Sequence, residues 1–156
     1  MISAELAVGR RFAVVLQPGD DVFASLAAVC AEHGIEQGYL PVFLGAFTRV
    51  SLIGTCAPIA DHDAPLPDAV HLEGVEGSGS GTIAFDPATG GVLVHVHAAV
   101  GVKAYSANGY AGHLLSATVH YVTEIVVEEV TSPRFIRKPD AAAHGLANLA
   151  FGPSAS

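Results

Sequence analysis

The sequence predicts an α+β domain, a largely antiparallel sheet of about seven strands with one main helix packed on it. Three observations predict it. One segment alone, residues 21–33, has helical periodicity with a signal at each end. β-Branched runs bounded by glycine, proline and aspartate occupy most of the remaining chain. The 156 residues contain no internal repeat and fit one folded unit, expected over residues 1–132, with residues 133–156 as a C-terminal extension.

Taken in order, the run RFAVVL at 11–16 reads as a strand that stops at the turn signal Gln17-Pro18-Gly19. Asp20 or Asp21 then offers a cap to the helix, whose stripe is Val22, Leu26, Val29 and Cys30, and Gly34 is placed to end it. Residues 37–54 read as two strands broken or bulged near Gly45. Residues 57–69, rich in Pro, Asp and Ala, read as an exposed loop. Short strands are expected at 70–76 and 81–86, separated by a flexible GSGSG. VLVHVHAAV at 92–100 is strongly strand-like, and 101–111 reads as a loop. The run 113–130 is long for a strand, with a bend expected near Ser116. Beyond Pro133 a short helix is expected to open at Pro139-Asp140, before a frayed end.

Composition narrows the function classes. Seven basic against fifteen acidic residues leave a net charge of −8, so an unaided binder of nucleic-acid phosphates is disfavoured. The basic residues that could form a local stripe are Arg10, Arg11, Arg134, Arg137 and Lys138. Charged residues make up only 14% of the chain, below the roughly 25% usual for a globular domain, which hints at surface hidden in an oligomer. No apolar run approaches the ~18–20 residues of a membrane helix, and no basic-then-apolar leader opens the chain. Cys30 and Cys56 lack CxxC partners, so a soluble protein of the reducing cytoplasm is expected.

The residues that carry chemistry are histidines. His95 and His97 lie two apart in a predicted strand, so their rings project to the same side. His113 opens a later strand; should the two strands pair, it approaches the others. Three neutral imidazoles with a fourth position open are a standard arrangement for catalytic zinc, and they also suit iron, nickel, cobalt or copper. The plainer alternative is a pair of half-exposed rings on a polar face. Val94, Val96 and Ala98 occupy the opposite phase, which places the histidines on a surface or cleft if that phase is the core.

Glu124 is a candidate general base or partner to a ligating histidine, with an edge charge as the alternative. Arg49 and Lys103 could anchor a substrate carboxylate or be ordinary surface charges. Other motifs fall short. GSGSGT lacks the GK[ST] and the helix of a phosphate loop, and no GxSxG elbow is present.

Several segments in sequential agreement resemble the plant-and-prokaryote-conserved (PPC) domain. These are GRRFAVVLQPGDDVFASLAAVCAEHGIEQG, GAFTRVSL, a short strand leading to SGSGTIA, then VHVHA, and GHLL with a downstream TEIVV. The resemblance covers about residues 9–130. It implies an α+β fold around an antiparallel sheet, a homotrimer, and metal at His95, His97 and His113. Plant members join the domain to AT-hooks and act as nuclear DNA-binding regulators, but no Arg-Gly-Arg-Pro core occurs here. The family's Gly-Gly-His is Ala111-Gly112-His113 in this chain.

Three functions stand as expectations. The first is a trimeric metal-binding protein acting on a small anionic molecule. As an enzyme it would be a metal-dependent hydrolase, lyase or isomerase, with zinc first among the divalent ions, Glu124 moving a proton and Arg49 or Lys103 holding the anion. The second is a DNA-binding regulator. The third is an assembly module in which the histidines are incidental.

Overall fold

A computed structural model describes residues 1–54, 69–105, 108–143 and 145–152. Its elements run β1 (Ala7–Leu16), α1 (Val22–His33), β2 (Gly38–Ile53), β3 (Ala69–Phe85), β4 (Val92–Val102), β5 (Asn108–Ser132), β6 (Arg134–Pro139) and β7 (Ala147–Gly152). Short 3-10 turns lie at Lys103–Tyr105 and Ala141–Ala143. The loop expected at 57–69, with Cys56 and His62, falls almost wholly outside the described residues, as does His144.

All strand pairs are antiparallel, in the order β1-β5-β2-β3-β4. A further pairing joins β4 back to β5, so β5, β2, β3 and β4 close into a small barrel. One 25-residue strand makes this possible. β5 pairs with β4 over Asn108–His113, with β2 over His113–Glu129, and with β1 over Thr123–Ser132. The bend expected near Ser116 is a register shift: Ser51 faces Ser116, but its neighbour Leu52 faces Leu114. The extra residue turns the strand and switches which phase points inward.

The interior is filled by alternate residues of these strands, among them Phe43, Phe47 and Val50 of β2, Val96 and Val100 of β4, and Val119 and Ile125 of β5. Helix α1 packs Val22, Leu26 and Cys30 into the same core. Its ends behave as the residue types require. Asp21 Oδ1 accepts from the Ala24 amide at 2.9 Å, and Gly34 adopts the left-handed conformation at φ 64° that ends the helix. Burial raises the Cys30 thiol to about 11, so it packs as an inert hydrophobe.

Four expectations are corrected. Residues 38–53 form one strand, not two, with bulges on either side of Gly45 absorbing the irregularity. GSGSG is not a flexible break but the middle of β3. Gly77, Gly79 and Gly81 occupy the inward phase, where a Cβ would meet the carbonyl oxygens of Ala99, His97 and His95. Glycine is there because β3 approaches β4 so closely around a tight barrel. The loop expected at 101–111 shrinks, because β4 runs on to Val102 and β5 begins at Asn108.

The fourth concerns the tail. Residues 134–152 fold mainly as the β6–β7 hairpin, with only a 3-10 turn where a helix was expected. Phe135 is fully buried among Ala84, Val130, Tyr39 and Phe151. Gln37 secures it from both sides: Nε2 donates to the Pro133 carbonyl and Oε1 accepts from the Phe135 amide, each at 2.8 Å.

Candidate metal centre

β4 turns Val96, Ala98 and Val100 into the barrel, and so turns His95 and His97 outward. Closure of the barrel supplies the third ring. His97 and His113 are direct cross-strand partners, in the last pair where β4 meets β5. The ring centroids lie 5.0 Å (His95–His97), 4.7 Å (His95–His113) and 5.4 Å (His97–His113) apart. One nitrogen from each ring can be chosen so that all three fall within 4.8 Å of one another. Four-coordinate zinc with N at 2.0–2.1 Å requires nitrogens about 3.3 Å apart, so small side-chain rotations would close the set. The donor set therefore fits one divalent ion.

The electrostatics favour the neutral form of His95 and His113. Burial first, then the Arg137 guanidinium and the two neighbouring imidazoles, lower His95 to about 4. Burial also lowers His113, helped by His97 and Arg137. Protonation would put a cation into a half-buried space already facing a cation, and the neutral imidazole is the form that ligates a metal.

Arg137 is the site residue that sequence reasoning missed. It lies on β6, and its Nη2 donates to His95 Nδ1 at 2.9 Å and to Thr82 Oγ1 at 2.5 Å. Its only signal in the sequence was membership of a basic cluster in the tail. Nothing local ties residue 137 to residue 95. The hairpin that brings it over buries Phe135, two positions before it, against the barrel residues Ala84 and Val130.

A cleft of about 720 Å³ opens beside these groups. His95, His97, His113 and Arg137 form its polar part, and Ile53, Leu93, Val94 and Leu115 are prominent in its apolar wall. The arrangement can bind an anion between a cation and a guanidinium while sheltering an aliphatic group.

The other residues expected at the site lie elsewhere in the chain. Glu124 is exposed on β5, eleven positions beyond His113, or about 36 Å of strand path at ~3.3 Å per residue. Its neighbours across the sheet are Val15 and Leu44. Arg49 is exposed opposite Glu73 and Thr118. Lys103 pairs with Glu76 at 3.0 Å and sits 5.3 Å from the Tyr121 ring centre. Glu128, which is paired with Arg11, shares a second cleft with His95 and His97.

The model of the Plants and Prokaryotes Conserved (PCC) domain matches residues 3–131. Solved structures share the fold. A plant- and prokaryote-conserved protein of Pyrococcus horikoshii superposes with a TM-score of 0.75 at 21% identity, covering 95% of this chain and 97% of its own. A candidate DNA-binding protein of Bacteroides thetaiotaomicron gives 0.71 at 26% identity, with 94% and 97% covered. A metal-containing protein of Archaeoglobus fulgidus gives 0.73 at 23% identity, with 96% and 99% covered. The chain has no match among curated proteins.

Proposed function

The chain belongs to the Plants and Prokaryotes Conserved domain family, and on that premise we propose that it is a trimeric protein binding one divalent cation per chain. His95, His97 and His113 hold the cation and present it to a small anionic molecule in the adjoining cleft. The observation that carries this reading is the convergence of the three rings, with centroids 4.7–5.4 Å apart, on the outer face of the barrel. Zinc is the ion we assign first, because three imidazoles with an open position are its common catalytic set. Such an ion supplies Lewis-acid or water-activating chemistry, which suits hydrolysis, elimination or isomerisation. The chain's own contribution is to keep His95 and His113 neutral, to place Arg137 beside them, and to line one side with aliphatic groups that exclude water.

Elemental analysis tests the reading. Close to one divalent ion per chain is expected in the purified protein or after incubation with Zn²⁺, and a protein that takes up none under either condition refutes it.

The trimer is supported by an apolar strip on the outside of the sheet. Val15, Val42, Leu44 and Val122 are exposed there, with Glu124 in register between Val15 and Leu44. A lone chain leaves this strip to water. Sedimentation velocity is expected to give three times the 15.9 kDa chain mass. Leu44→Lys, which gives the monomer a charge pair with Glu124, is expected to shift the mass toward the single chain. A wild-type monomer at micromolar concentration would exclude the trimer.

DNA binding is the second reading, favoured by the Bacteroides relative at 26% identity. The basic residues that would carry it are largely engaged within the chain. Arg10 binds Glu129 and the His33 carbonyl, Arg11 pairs with Glu128, Arg134 with Glu36, and Arg137 contacts His95. Freeing them costs ion pairs before any phosphate is gained. No mobility shift of duplex DNA is therefore expected at low salt with micromolar protein. A salt-sensitive shift would restore this reading.

A further inference from the structure

Arg137 and a bound cation make competing demands on the same ring. A guanidinium carries only donors, so in the Arg137–His95 bond it is Nδ1 of the imidazole that accepts, and the ring proton sits on Nε2. A neutral imidazole has one in-plane lone pair. Ligation through Nδ1 uses the lone pair that Arg137 holds. Ligation through Nε2 moves the proton to Nδ1, where it faces an N–H donor. By either nitrogen, His95 serves the guanidinium or the metal, but not both.

We propose that Arg137 is a metal-coupled latch: it holds His95 when no cation is bound, and metal binding releases it into the cleft as the anchor for a small carboxylate. The inference rests on the metal-binding reading above and adds the ligand class and the order of events. Arg137 is equipped for both positions. Its Nη1 donates to the Ala147 carbonyl at 3.3 Å, a bond that does not involve His95 and can keep the guanidinium beside the cleft as the whole plane turns off the ring. Among the described residues no carboxylate pairs with this half-buried cation. Once off His95 and Thr82, the guanidinium lacks a counter-charge beside a divalent ion.

An anion relieves both. A carboxylate matches the planar guanidinium fork and can share its second oxygen with the metal. The aliphatic wall of Ile53, Leu93, Val94 and Leu115 suits a short apolar substituent. Ligand and metal must then strengthen one another, because each favours the released state of Arg137 and linkage is reciprocal.

The test is Co²⁺ titration of chelator-treated protein, read from the visible absorption of the bound ion and by competition with a chelating dye. Wild type, Arg137→Met and Thr82→Val are compared with and without propionate. Arg137→Met is expected to bind Co²⁺ at least about tenfold tighter in carboxylate-free buffer, the scale of a lost charge-assisted hydrogen bond. Thr82→Val, which removes only the second acceptor of Nη2, is expected to shift affinity the same way by less. Propionate is expected to tighten Co²⁺ binding in wild type and to have little effect in Arg137→Met. Equal or weaker Co²⁺ binding by an Arg137→Met protein of unchanged circular dichroism overturns the latch, as does propionate acting alike on both. Absence of Co²⁺ uptake by wild type removes the metal reading itself, whereas uptake indifferent to Arg137→Met removes the latch alone.

Discussion

His97→Ala is expected to weaken divalent-cation binding by more than about 100-fold, since losing a group that only orients a ligand already costs ~10–100-fold. His97 shares a centroid separation of 5.0–5.4 Å with each of the other two rings, so its loss leaves two imidazoles and an incomplete set. The fold should not notice. His97 is exposed and points away from the core formed by its neighbours Val96 and Ala98, so the metal-free variant should melt with the metal-free wild type. His113→Ala, the cross-strand partner, should behave alike. Isothermal titration with Zn²⁺ measures the effect, and an affinity unchanged in both variants would move the binding site away from these rings.

Phe135→Ala is expected to destabilise the whole chain by about 3–5 kcal/mol, the usual cost of removing a fully buried phenyl ring. The ring makes an edge contact with Tyr39 at 5.5 Å and a tilted contact with Phe151 at 5.9 Å, and it closes over Ala84 and Val130. Its backbone amide is held by buried Gln37. A urea transition that moves as one cooperative step would make β6 and β7 part of the folding unit. A main transition displaced by less than about 1 kcal/mol would make them an appendage, because exposed substitutions stay within that range. The same variant should impair Arg137, which shares β6 with Phe135.

The contrast between His97 and Arg137 shows what could be read beforehand. The alternation of strand side chains is strictly local, so VHVHA puts both rings on one side and the valines on the other, and the barrel then decides which side is outward. His113 was legible as a candidate, yet its partner was settled only by barrel closure. Glu124 shows the limit of the same reasoning. Residue type marks it as a candidate base, but type says nothing of height along the strand, and β5 is long enough to carry it far from His113. GSGSG was misread because glycine has two uses with one composition: freedom in a loop, and absence of a Cβ where backbones meet. The carbonyls that explain those glycines belong to β4, more than a dozen residues later in the chain.

β5 binds three other strands, and it is the last strand of the barrel to be made. During synthesis β1 therefore waits, since Ala7 finds its place only against Ser132. α1 has only part of its core until then, and no earlier strand can substitute for the missing neighbour. Such distant pairing delays the reward for ordering the chain, which slows folding and leaves bare strand edges on the ribosome. The long strand thus sets a timetable: neither the closure of the barrel nor the seating of its first strand can precede the synthesis of β5.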